Sequence, residues 1–101
     1  MPNTTALGAG VLTLGGDRFL HNYGPDLNAA NTFLGENAGN FTLTGGSNTI
    51  VGARAGVALT SALANDIYGY RAAENLTTGG NNTTLGTVSD VLSAGLNNAT
   101  A

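Results

Sequence analysis

Apolar residues arrive along this chain in short bursts, and from residue 31 onward each burst stops at a glycine: Phe33-Leu34 before Gly35, Ile50-Val51 before Gly52, Ile67-Tyr68 before Gly69, and Leu85 before Gly86. Four places ahead of each glycine stands an asparagine, at Asn31, Asn48, Asn65 and Asn82, so both residues return every 17 positions. With the asparagine as column 1, column 2 reads Thr32, Thr49, Asp66 and Thr83, and column 8 reads Ala38, Ala55, Ala72 and Ser89. The four units align without gaps, and self-similarity at a fixed period marks a repeat architecture.

Seventeen residues are too few for two helices. The β-branched, aromatic and Leu side chains of columns 3 and 4 read as a short strand closed by a turn. A second apolar patch, in Phe41-Thr42-Leu43, Ala58-Leu59, Leu76 and Leu92, predicts a second short strand in each unit. Between the patches lie Gly, Asn, Ser and Thr, which supply positive φ or bond their own backbone at tight corners. The fold expected is all-β, a parallel β-solenoid or β-roll of 17-residue coils, of either hand. Residues 31–98 make four coils and residues 99–101 a tail. Residues 1–30 read as a degenerate first coil with a ten-residue insertion, because Thr4-Thr5-Ala6-Leu7-Gly8 resembles Asn82-Thr83-Thr84-Leu85-Gly86 but Thr4 lies 27 residues before Asn31. The surplus falls near residues 17–26, which hold Phe19, Tyr23, the single His and one of the two Pro; this segment is expected to cap an open end or touch a partner.

Coils stacked about 4.8 Å apart would set each residue on its equivalent. Asn31, Asn48, Asn65 and Asn82 would then form an amide ladder, each side chain offering both a donor and an acceptor to identical neighbours. Gly35, Gly52, Gly69 and Gly86 would mark a corner too tight for a Cβ. Adjacent residues of a strand point to opposite faces, so columns 3 and 4 cannot both face one interior. The contact between subunits is therefore expected among Phe33, Leu34, Ile50, Val51, Ile67, Tyr68 and Leu85, joined by Phe19 and Tyr23 of the insertion. A lateral trimer, end-to-end stacking of open edges, or both in one fibre would cover the outward side.

Composition narrows the function classes. Charged residues make up 9% of the chain, with three Arg, no Lys and a net charge of −3, which argues against a nucleic-acid partner. The absence of Cys excludes disulfides and thiolate metal sites. One His and six scattered acids give little material for acid–base chemistry, so no enzyme and no cofactor are expected. Gly15-Gly16-Asp17 occurs once and lacks the spacing of calcium-binding repeats, and Asp66 breaks the threonine column that ice binding would need. No stretch approaches the roughly 18 to 20 apolar residues that insert in a membrane. Residues 1–5 have neither the basic region nor the apolar core of a secretory signal, so a mature or excised fragment, or release by another route such as lysis with a phage, is expected. Val, Ile, Leu and Phe placed in register argue against low-complexity disorder.

Asn-X-Ser/Thr sequons occur at Asn3, Asn40, Asn75, Asn81, Asn82 and Asn98. An Asn- and Thr-rich repeat generates them incidentally; the alternative is a fibre carrying glycans at surface corners, with Asn82 least suited because it belongs to the ladder. Arg54 and Arg71 share column 7, and stacked cations repel unless compensated, so a carboxylate contact is expected there from Glu36, Glu74 or another subunit.

Three stretches carry a resemblance: Arg18-Phe19-Leu20-His21-Asn22-Tyr23-Gly24, Asn31-Thr32-Phe33-Leu34-Gly35-Glu36-Asn37-Ala38-Gly39-Asn40-Phe41-Thr42, and Asn75-Leu76-Thr77-Thr78-Gly79. Across residues 18–86 the chain resembles repeat arrays of large bacterial surface proteins and of phage-type tail-fibre proteins, many of which end in an endosialidase-type chaperone domain. More distantly it is similar to the β-roll heads of trimeric autotransporter adhesins. The resemblance implies an elongated, self-associating stalk or head located outside the cell, on a cell surface or on a virion. The function expected is a structural fibre or filament subunit. The alternative is a receptor-binding or adhesive segment that takes surface glycans or a host receptor.

Overall fold

The computed structural model describes residues 2–5, 9–24, 30–91 and 93–101. Ala6, Leu7 and Gly8 of the first-coil match, Pro25 and Asp26 of the insertion, and Leu92 of the second apolar patch lie outside the described residues. The described chain is all-β and forms one open six-stranded sheet in the order β1 (Leu12–Leu14), β2 (Asp17–His21), β3 (Thr32–Leu34), β4 (Thr49–Val51), β5 (Asp66–Tyr68) and β6 (Thr83–Leu85).

The sheet is mixed. From β3 to β6 the strands run parallel, and equivalent columns face each other: Phe33 opposite Ile50, Ile50 opposite Ile67, and Ile67 opposite Thr84. At the amino end an all-parallel arrangement is corrected, since β1 pairs antiparallel with β2 and β2 antiparallel with β3. The cause is local. Leu14 faces Asp17 across a two-residue turn in which Gly15 and Gly16 both have positive φ, 61° and 89°. That backbone matches the twist of a tight hairpin, so the chain reverses there instead of continuing one way round.

Column 3 faces inward. Phe33, Ile50, Ile67 and Thr84 are each fully buried, as are Ala38, Ala55 and Ala72 of column 8. Leu43, Leu59 and Leu76 pack into the same core. Burying each large apolar side chain contributes about 1.5–3 kcal/mol. The second strand expected around these leucines does not form. Their segment runs as irregular backbone whose neighbouring units bond through Thr44 N–H to Thr60 O (2.6 Å), Thr60 N–H to Thr77 O (2.9 Å) and Thr77 N–H to Ala94 O (2.9 Å). The molecule measures 35 × 27 × 15 Å, and its short dimension leaves room for only one buried layer. Thr84 is the exception in the inward column, because its hydroxyl has no hydrogen-bond partner.

Corners repeat with the strands. The residue before each column-1 asparagine is left-handed, at Ala30, Ser47, Ala64 and Asn81 (φ 51–59°), and Asn98 adopts the same conformation. So is column 7, at Asn37, Arg54, Arg71 and Val88 (φ 54–59°). Beyond β6, Thr100 bridges Thr83 in parallel, in the register of a further unit.

Candidate functional surface: the outer sheet face and its first edge

The asparagines are internal clasps. Asn31, Asn48, Asn65 and Asn82 are at most 2% exposed, which makes them structural groups and not contact groups. Asn31 Oδ1 accepts from the Asn48 backbone N–H (2.9 Å) and Nδ2 (3.0 Å), and Asn48 Oδ1 accepts from the same two donors of Asn65 (3.1 and 2.9 Å). Asn65 Oδ1 accepts from the Asn82 N–H at 3.0 Å. Each Nδ2 also donates across its own unit, to Gly45 O, Ala62 O, Gly79 O and Leu96 O respectively. One amide thus joins a unit to its neighbour and ties its beginning to its end. Column 5 is closed to any side chain in three units: a Cβ on Gly35 would lie 2.6 Å from the Gly52 carbonyl carbon, one on Gly69 would lie 2.5 Å from Gly86 O, and one on Gly52 would strike Gly69 O. Gly86 has only Ser89 Cβ near, at 3.7 Å.

Of the residues assigned to a subunit contact, Phe33, Ile50 and Ile67 are wholly inside the chain and unavailable to a partner. Their strand neighbours point outward. Register pairs Leu12 with Leu20, Leu20 with Leu34, Leu34 with Val51, Val51 with Tyr68, and Tyr68 with Leu85, so one apolar row crosses all six strands. Five strand spacings give it a length of about 24 Å. Leu12, Leu20, Leu34, Tyr68 and Leu85 are exposed, Leu85 to 71%, and Val51 is half-buried. Thr32, Thr49, Asp66 and Thr83 form the parallel polar row beside it.

The insertion aromatics turn toward the chain itself. Phe19 and Tyr23 are half-buried, and Tyr23 packs against the core and against Phe41 at 5.6 Å. His21 is 3% exposed, stacked on Phe33 at 4.5 Å and edge-on to Phe41 at 4.8 Å. Its Nε2 lies 3.0 Å from Ala38 O and its Nδ1 3.3 Å from the Tyr23 N–H, so the neutral ring with a proton on Nε2 satisfies both contacts. Burial lowers the His21 pKa below 6.5; the bond to Ala38 O opposes the shift and the Arg18 charge adds to it. Arg18 donates to Asn37 O (3.1 Å) and Gly39 O (2.6 Å) and lies over the Phe41 ring at 5.1 Å. Burial lowers its pKa as well, against the pull of Asp17. The sequence places both residues in the segment expected to cap an open end or touch a partner, but gives neither a role of its own.

On the column-7 corner, Arg71 pairs with Glu74 of its own unit (Nε–Oε2 2.7 Å, Nη2–Oε1 3.2 Å). Arg54 makes no ion pair among the described residues. The sequons divide by geometry. Asn82 is buried, and Asn40 spends its amide on Val57 O, Leu59 O and the N–H groups of Thr42 and Leu43. Asn3 accepts from Asn22 Nδ2, and Asn75 donates to Asp90. Asn81 and Asn98 are exposed on a left-handed corner. Among the described residues no group of three or more His, Asp or Glu could hold a metal ion, and no helix is long and apolar enough to cross a membrane. No protein-family model matches the chain, and no curated protein or solved structure is significantly similar to it.

Proposed function

We propose that this chain is a structural subunit whose four units wind as successive coils of a β-solenoid. Further copies associate side by side with its outer face to build an extracellular trimer or fibre on a cell surface or virion. The observation that carries the reading is the row Leu12, Leu20, Leu34, Val51, Tyr68 and Leu85, which crosses every strand and leaves five of its six side chains exposed. A contiguous apolar stripe on a small molecule marks a contact surface. The clasping asparagines support the winding, because each closes a 17-residue unit on itself while bonding it to the next.

Size favours several copies over a pair. A face of about 24 by 10 Å falls well short of the roughly 800 Å² per partner of a stable two-body interface. Three copies around one axis, or many along a fibre, sum such contacts cooperatively. Sedimentation velocity and electron microscopy of the purified chain test this, with Leu34→Glu and Leu85→Glu as probes because both side chains are exposed on the outer face. Ordered assemblies of the parent that dissolve in both variants, with circular dichroism unchanged, are expected. A parent that stays monomeric at high micromolar concentration overturns the reading. Closed trimers that bind cells or glycans would move the function to the receptor-binding alternative.

A further inference from the structure

Consecutive units meet through four recurring contacts. The column-5 N–H bonds the column-4 carbonyl of the unit before it: Gly52 to Leu34, Gly69 to Val51 and Gly86 to Tyr68, each at 2.8 Å. The column-7 N–H bonds the preceding column-6 carbonyl: Arg54 to Glu36, Arg71 to Ala53 and Val88 to Tyr70, at 2.8–2.9 Å. The column-8 carbonyl accepts from the preceding column-9 N–H, as in Gly39 to Ala55 (2.9 Å) and Gly56 to Ala72 (3.0 Å). The asparagine Nδ2 donates to an oxygen of the unit before, as Asn48 does to Asn31.

The first unit has no unit before it, yet all four positions are filled. Gly35 N–H bonds Phe19 O at 2.7 Å, and Asn37 N–H bonds Arg18 O at 2.9 Å. Ala38 O faces His21 Nε2 at 3.0 Å, and Asn31 Nδ2 donates to Tyr23 O at 3.0 Å. The β2 strand runs the opposite way, so the acceptors come in reversed order along the chain while presenting the same pattern in space.

We infer that the β1–β2 hairpin is an internal cap that imitates a repeat unit on the edge of β3 and thereby shuts out that edge's other fitting occupant, a repeat unit of a second copy of this chain. Without the hairpin the edge would present two N–H groups, one carbonyl and one amide in the spacing that every unit here is built to meet, and such an edge is a template for strand addition. Arg18 latches the cap with bonds to Asn37 O and Gly39 O, and His21 reaches Ala38 O from a ring that also contacts Phe33 and Phe41. The inference does not depend on the lateral association proposed above.

The experiment places Arg18→Ala/His21→Ala in the full chain with Tyr68→Glu added, so that side-by-side contact is suppressed in every sample. The Tyr68→Glu parent is expected to show no end-to-end assembly. The latch variant is expected to show at least a tenfold larger mass fraction in elongated particles repeating at the strand spacing, reduced by a synthetic peptide of residues 9–24 added in trans. Arg54→Ala in the same background should behave as the parent. A latch variant that keeps its circular dichroism and stays monomeric overturns the cap, and so does a parent that already stacks end to end. If the latch variant unfolds, amide exchange on the unaltered chain decides. Gly35 and Asn37 protected to within tenfold of Gly52 and Arg54 uphold a closed edge, and free exchange refutes it.

Discussion

Asn31 donates its side-chain amide to the backbone carbonyl of Tyr23 at 3.0 Å, the same separation at which Asn48 donates to the side-chain oxygen of Asn31. A main-chain oxygen therefore completes a series that otherwise runs from one asparagine to the next, and the amide column is satisfied at its first member.

The middle of that column should be the most costly place to cut. The Asn48 side chain makes four buried hydrogen bonds, two to Asn65 and one each to Asn31 and Ala62. Asn48→Ala leaves the Asn65 backbone N–H and the Ala62 carbonyl unpaired, while Asn31 Oδ1 keeps the residue-48 N–H and Asn65 Nδ2 keeps Gly79 O; each buried unpaired group costs about 1–3 kcal/mol. A loss of more than about 3 kcal/mol is expected in denaturant unfolding. Asn81→Ala, exposed at a corner where Ala64 is the equivalent residue, should lose less than about 1 kcal/mol. Equal losses would contradict the ladder's role.

Gly52 and Gly86 share a column and a positive φ, 138° and 126°, but differ in what stands above them. A Cβ at Gly52 meets the Gly69 carbonyl, whereas at Gly86 the nearest atom is 3.7 Å away. Gly52→Ala should abolish cooperative folding, and Gly86→Ala should show only the backbone strain of about 1–3 kcal/mol. Thermal melts of the two variants separate the effects.

Val88 is a β-branched residue at φ 54°, a conformation that such side chains rarely tolerate. It is more than half exposed, so its replacement removes little burial. Val88→Asn, the residue found at the equivalent Asn37, is expected to raise stability by about 1 kcal/mol, visible as a higher unfolding midpoint.

Acid should loosen the first unit. His21 is held neutral in the folded chain, with its pKa below the ordinary 6.5, so the unfolded chain takes up the proton first as pH falls. Its contribution is therefore complete above about pH 6.5 and declines through the acid window until the folded-state value is passed. Unfolding measured between pH 7 and pH 5 should show this slope, and His21→Gln should remove it. A slope that survives the substitution would assign it to other groups.

What the letters carry and what they leave out follow from how each position is constrained. Asn48 and Gly52 recur as letters because their roles admit few residue types: a buried side chain that both gives and accepts, and a backbone with no room for a Cβ. The left-handed corners recur only as geometry. Column 7 is filled by Asn37, Arg54, Arg71 and Val88; the two Arg match, but no chemistry common to all four points to a left-handed corner. The inward leucines are blurred by a slip, since Leu43 and Leu59 stand 16 apart whereas Leu59 and Leu76 stand 17 apart. The hairpin is legible in principle, because Gly15-Gly16 between Leu14 and Asp17 is a hairpin signal, but the likeness of residues 4–8 to residues 82–86 points instead to a parallel coil. The outward row followed from strand alternation, and its extension to Leu12 and Leu20 did not, since it depends on the antiparallel register.

Asn48 and Asn65 each accept from the backbone N–H of the next asparagine and donate across their own unit, so an in-frame duplication or loss of one unit in the middle would keep these bonds at both flanking junctions. A unit gained or lost there would change the number of stacked strands by one and ask for no new class of hydrogen bond.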